Sequence, residues 1–193
     1  MKWAILFSHP ADYTPVCTTE LGQAAKIAPE FTKRGVKMIA LSCDAVDDHN
    51  GWVKDIKAYN SLNGDFPFPI IADEDRRIAS EYGMFDPEEK DKDGIPLTCR
   101  SVFIIGPDKK LKLSMLYPAT TGRNFDEILR VVDSLQLTAS KRVATPANWK
   151  PGGDCMVVPS LSEEDANKLF PSGFKVHEVP SGKCYLRTTA QPQ

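Results

Sequence analysis

No apolar run in this chain is long enough to cross a membrane or to serve as a signal sequence. The opening run, Trp3 to Phe7, is far too short for either, and nothing longer follows. Stable membrane insertion is therefore not expected. The chain also lacks a charge excess: 24 basic against 26 acidic residues give a net charge of −2, which is no electrostatic footprint for nucleic acid. Histidine is scarce, with three in 193 residues, and neither the histidines nor the cysteines show local metal-ligand spacings. No metal is expected. The five cysteines, at 17, 43, 99, 155 and 184, form no CxxC pair, and their odd count leaves at least one outside any internal disulfide. The simplest setting is a reducing one, the cytoplasm.

What is present is an alternation of short apolar strands with helix-period segments, the pattern of an α/β domain on a central sheet. "WAILFS", "VKMIALSCD" and "FPIIAD" read as strands. Leu21, Ala24, Ala25, Ala28 and Phe31 recur at helical spacing and stop at Gly35, and "DDHNGWVKDIKAYNSL" repeats the pattern with Trp52, Ile56 and Tyr59. "DRRIASEYG" reads as a short helix, "SVFIIGPDKKLKLSMLY" as a hairpin turning at Gly106-Pro107-Asp108, and "NFDEILRVVDSLQL" as an amphipathic helix. The charge run Asp86 to Gly94 reads as a solvated loop. After about Ala139, prolines and glycines interrupt only short periodic pieces such as "SEEDANKLF". The expected division is residues 1–138 as the main domain and 139–193 as a smaller C-terminal extension.

The stretch "SHPADYTPVCTTELG" places a cysteine where a helix begins. Thr14 is a capping residue, and Pro15 suits the first helical position, where a missing N–H is not needed. Cys17 then falls in the first turn, where unpaired backbone N–H groups and the helix dipole favour an anionic sulfur. Full ionisation of an ordinary thiol at neutral pH gains only roughly 30-fold in reactive form. A fast site therefore also needs fixed donors that hold a substrate and stabilise its leaving group. The Thr14 hydroxyl is one candidate. Arg100, at the head of the most apolar strand "SVFIIG", is the leading basic one, because a charge beside a core strand needs an anionic partner, and Arg123 in "TTGRN" is the second. An isolated cysteine is more often a small buried hydrophobe, which is how Cys43 and Cys99 read. His9, by physics alone, is equally a loop histidine satisfied by backbone.

The spacing Pro10, Thr14, Cys17 matches the P-x-x-x-T-x-x-C signature of peroxiredoxins, and "SHP...TPVCTTE" is similar to their one-cysteine subfamily, the peroxiredoxin-6 group. "FPIIAD", "DPEEKDKDG", "TCRSVFIIGPDKKLKLSMLYPATTGRN", "LFPSG" and "PSGKCYLR" resemble the same subfamily in the same order, so the likeness covers essentially the whole chain.

The resemblance implies a thioredoxin-like fold, with a central mixed sheet flanked by helices and a C-terminal domain associated with a homodimer. It implies a thiol-dependent peroxidase in which Cys17 becomes a sulfenic acid. Thr14 would hold the peroxide, Arg100 would stabilise the thiolate and polarise the peroxide, and Pro10 would shield the sulfur. His9, Glu20 and Arg123 match supporting residues. No resolving cysteine is recognisable and no bound cofactor is implied, so the expected reductant is an external thiol, glutathione, delivered with a glutathione transferase. Relatives begin with an additional strand pair, and truncation of the recorded sequence is the expected reason for its absence. The serine and histidine that some relatives use on phospholipids lie in that segment. Asp108 alone matches the third member of that set, and it reads as a turn residue. A peroxide sensor or a holdase chaperone would use the same Cys17 and is distinguished by lack of turnover. A disulfide reductase is disfavoured, because Thr18, Thr19 and Glu20 follow Cys17 where a second cysteine would be needed.

Overall fold

The computed structural model describes residues 2–193, which form two compact units, one ending at Phe125 and the other spanning Asp126–Gln193. The texture of the sequence changes later, after residue 138.

In the first unit, β1 (Trp3–Ser8), β2 (Val36–Ser42), β3 (Ile70–Ala72), β6 (Arg100–Ile105) and β7 (Leu111–Tyr117) make a mixed sheet in the order β3-β2-β1-β6-β7. β1 pairs parallel with β2 and antiparallel with β6. As the central strand it is covered on both faces, which is why it reads as a continuous apolar run: Ile5, Leu6 and Phe7 are all buried. Beside it, β6 buries Val102, Phe103 and Ile104.

Helix α1 (Pro15–Lys33) follows β1 and buries Leu21, Ala24, Ala25, Ala28 and Phe31, the stripe expected from the 3.6-residue period. It runs through Pro29 and ends where Gly35, at φ 66°, takes the left-handed conformation that closes a helix. Helix α2 (Val46–Asn60) buries His49, Trp52 and Ile56. Tyr59, expected on the same face, is exposed instead. Next come α3 (Arg77–Tyr82) and the β6–β7 hairpin, which turns through Gly106 to Lys110. Asp108 is a turn residue there, bonded to the Lys110 N–H and paired with Lys112.

The charge run from Asp86 is not a loop. Residues Phe85–Lys90 form β4, which pairs antiparallel with β5 (Pro96–Thr98) as a separate two-stranded ribbon. Its residues are a mixture of half-buried and exposed ones with no regular alternation, so no burial pattern marks it in the sequence.

The second unit contains most of α4 (Phe125–Ser140), the short strands β8 (Val143–Ala144), β9 (Cys155–Val157), β10 (Lys175–Val176) and β11 (Arg187–Thr189), and α5 (Glu163–Leu169). The strands form a sheet ordered β10-β11-β9-β8. Its core gathers Val143, Trp149, Cys155, Val157, Leu161, Ala166 and Phe170. Ser162 caps α5 by accepting from the Asp165 N–H. Among the described residues, no helix is long and apolar enough to cross a membrane.

Candidate active site

The loop between β1 and α1 delivers Cys17 to the first turn of the helix, where it is fully buried. One turn further on the same face stands Glu20, also buried. Arg100, the first residue of β6, reaches both. Its Nε and Nη2 donate to the Ala119 carbonyl at 2.9 and 2.5 Å, which fixes the guanidinium plane. Nη1 is thereby aimed at Glu20 Oε2, 2.7 Å away, and at Cys17 Sγ, 3.3 Å away.

Arg123 closes the cluster from the segment before α4. Its backbone N–H and its Nε donate to Glu20 Oε1, and its Nη2 donates to Oε2 at 2.8 Å. Its Nη1 donates to the carbonyls of Ser8 and Ser101, so it also ties the end of β1 to β6. Two guanidiniums therefore share one carboxylate. Burial pushes the Glu20 carboxyl up, but the charge and hydrogen bonds of Arg123, followed by the charge of Arg100, outweigh it and hold the group below its ordinary range. The buried trio carries two positive charges and one negative. A thiolate at Cys17 brings the sum to zero, and an unbalanced buried charge is costly.

Among the described residues, no other thiol is hydrogen-bonded to an arginine. Burial pushes the Cys43 thiol up to about 11 and raises Cys99 and Cys155 as well. All five cysteines are free.

Thr14 takes the N-cap position with extended backbone, but its hydroxyl does not cap the helix: it donates to the Ala11 carbonyl at 2.9 Å and closes the loop. Its lone pairs remain available to a donor. Pro10 is buried in the same loop. His9 is not satisfied by backbone. Its Nε2 lies 2.7 Å from Asp12 Oδ1, and its Nδ1 is buried without a partner.

Asp12, His49 and Trp52 were not found by sequence reasoning. Asp12 accepts from both His9 and His49, and the Trp52 ring lies against His9 with centroids 4.9 Å apart. The available hint was the three-residue step from His9 to Asp12. His9, Asp12 and Asp44 bring ligand atoms within 4.8 Å of one another, but these atoms are engaged in hydrogen bonds: Asp44 Oδ2 accepts from Ser42 Oγ and from the Asp12 N–H.

Residues 1–114 match the AhpC/TSA family, and residues 134–173 match the C-terminal domain of 1-Cys peroxiredoxin. The chain is 69 % identical to peroxiredoxin-6 of Gallus gallus over 197 residues, covering 100 % of this chain and 87 % of the relative. The chain belongs to the 1-Cys peroxiredoxins. Among solved structures, this peroxiredoxin is similar to a cysteine-to-serine mutant of peroxiredoxin 6 of Arenicola marina, with a TM-score of 0.97 and 64 % identity, covering 100 % of this chain and 87 % of that one. It is also similar to a yeast mitochondrial 1-Cys peroxiredoxin described in a thiol resolving mechanism via glutathione/thioredoxin systems, with a TM-score of 0.87 and 46 % identity, covering 98 % and 86 %. The thioredoxin-like fold and the thiol-dependent peroxidase activity expected from the motifs are those of this family.

Proposed function

We propose that Cys17 is the peroxidatic residue of this peroxidase. The observation that carries this is the Arg100 Nη1–Cys17 Sγ hydrogen bond, which among the described residues no other cysteine makes with an arginine. The thiolate attacks the terminal oxygen of a hydroperoxide. A sulfur–oxygen bond forms and the oxygen–oxygen bond breaks, so that sulfur loses two electrons to become a sulfenic acid while the departing oxygen takes a proton as water or alcohol. Arg100 is placed to meet the developing charge, and Glu20 and Arg123 hold it there. Thr14 accepts from the peroxide, Pro10 keeps water from the sulfur, and His9, buried in the same loop, supports the site.

Reduction of the sulfenic acid falls to an external thiol, and we read it as glutathione. One glutathione displaces the hydroxyl as water, forming a mixed disulfide, and a second releases Cys17 with glutathione disulfide. Because Cys17 is fully buried, the first turn of α1 has to open for so large a reductant, which gives a delivering glutathione transferase a task. A homodimer fits the edge strand β7, whose Leu111 and Leu116 are exposed. Five free cysteines fit the cytoplasm.

Peroxide consumption with glutathione and a glutathione transferase tests this reading. It expects many turnovers per subunit with hydrogen peroxide and organic hydroperoxides, and a single stoichiometric event contradicts it.

A further inference from the structure

A cleft of about 330 Å3 opens where the thiol loop and the start of α1 meet α2. The buried Trp52 lines it beside Tyr13 and Tyr59, two aromatic rings that are 55 and 70 % exposed. Thr14 forms part of its wall. The residue that accepts from the peroxide in the reading above therefore belongs to this cleft as well as to the thiol loop.

Two local features place Tyr13 there. Its backbone takes φ 55°, in the left-handed region that a bulky side chain seldom adopts, and strain of this kind collects at ligand sites. Opposite it, α2 carries Gly51 in its interior, where glycine is a poor helix former. A methyl group on Gly51 would collide with the Tyr13 hydroxyl oxygen. The glycine makes room for the tyrosine.

The polar atoms of the cleft have their hydrogens engaged. Thr14 Oγ1 donates to the Ala11 carbonyl, Thr18 Oγ1 to the Thr14 carbonyl, Thr19 Oγ1 to the Val16 carbonyl, and Trp52 Nε1 to Thr18 Oγ1. Among the described residues no lysine or arginine lines the cleft, and Asp55 adds a negative charge. Desolvation, and then the charges of Asp55, Asp48 and Asp12, push the Tyr13 phenol up, so its ring stays neutral. An anion would find a carboxylate and no cation. One face of Trp52 is already covered by the His9 ring, with centroids 4.9 Å apart, which leaves little of the indole for a cation. The cleft suits an uncharged apolar group.

We propose that this cleft takes the alkyl or aryl group of an organic hydroperoxide, so that Tyr13, Tyr59 and Gly51 set a preference for neutral organic substrates over charged ones. The inference rests on Cys17 being the reacting thiol and adds a substrate class to that reading. Thr14 joins the two ends, holding the hydroperoxide group while the tail lies along the tyrosine rings. The terminal oxygen bonds to Sγ as the oxygen–oxygen bond breaks, and the carbon-bearing oxygen takes a proton from water and departs with its tail as the alcohol. The cleft thus holds the leaving group. Burial of roughly 60 Å2 of tail is worth about 10-fold in rate.

The test measures the rate at which the reduced full chain is oxidised by hydrogen peroxide, by cumene hydroperoxide and by cumene hydroperoxide bearing a para-carboxylate or a para-ammonium group. Tyr59→Ala and Gly51→Ala are compared with wild type. Tyr59 is largely exposed and alanine is the better helix former at 51, so neither change threatens the fold. In both variants the ratio of the cumene hydroperoxide rate to the hydrogen peroxide rate is expected to fall about 10-fold. Asp55→Asn is expected to speed the carboxylated substrate about threefold relative to the neutral one. A ratio that moves less than twofold in either alanine variant overturns the proposal. So does a wild-type preference for the ammonium form, which would make the cleft a cation site, or an unchanged ratio with slower reduction by glutathione, which would give it to the reductant. Mass spectrometry of the oxidised wild type separates the two readings, because an oxygen found on another cysteine refutes the Cys17 reading itself.

Discussion

Arg100 Nη1 divides its hydrogen bonds between Glu20 Oε2 at 2.7 Å and Cys17 Sγ at 3.3 Å. One nitrogen thus links the carboxylate that anchors the arginine to the sulfur it serves. Its other donors are spent on the Ala119 carbonyl, so the geometry is set before any peroxide arrives.

Replacing Arg100 by methionine removes a preorganised donor while keeping much of the side-chain volume. The rate of reaction with hydrogen peroxide should fall about 100- to 1,000-fold. Stopped-flow tryptophan fluorescence on the reduced protein measures it, and a change of less than threefold would count against the role given to Arg100.

Glu20→Gln leaves two buried guanidiniums without their shared carboxylate. The expected loss of stability is about 3–5 kcal/mol, read from urea unfolding. The pH dependence has a definite sign. Because the folded carboxyl lies below its ordinary range, its contribution is fully present above the ordinary glutamate value of about 4.3 and is lost as pH falls through the lower folded value. The stability gap between wild type and variant should therefore narrow on acidification.

Excess peroxide without thiol should drive Cys17 past the sulfenic state to sulfinic and sulfonic acids. Peptides carrying Cys43, Cys99 and Cys155 should stay unoxidised under the same exposure, since burial keeps those thiols protonated. Peptide mass spectrometry reads both outcomes in one experiment.

Helices α1 and α2 approach closely at Gly22, where an added methyl would stand 1.9 Å from Asn60 Nδ2. Asn60 donates from that nitrogen to the Thr18 and Ile56 carbonyls, so Gly22→Ala has to displace it. A loss of about 1–3 kcal/mol in thermal or urea unfolding is expected.

The elements that were legible in the sequence are those whose burial is periodic. The α1 stripe from Leu21 to Phe31 and the dry run of β1 each face one dominant environment, so their patterns survive in the residues. β4 has no such pattern: Glu88 is exposed and Asp86 and Glu89 are only half-buried, so acidic residues are tolerated there without a regular period. In the second unit, strands of two or three residues are too short to show a period. At the site, Cys17 followed from the helix start, Arg100 and Arg123 from their places beside a core strand and before a helix, and Glu20 from the subfamily resemblance; the structure brings the four together. Thr14 was placed correctly as an N-cap, but its hydroxyl serves the loop, because the Ala11 carbonyl competes for its hydrogen. Asp12 and His49 stayed hidden, since 37 residues separate two groups that only the packing of α2 against the loop brings together.

The most direct measurement is peroxide consumption by this chain and its Cys17→Ser variant, with glutathione plus a glutathione transferase and, separately, with dithiothreitol. The account predicts sustained turnover in the wild type and none in the variant with either thiol. Equal turnover in the two proteins would contradict it and move the chemistry to another cysteine.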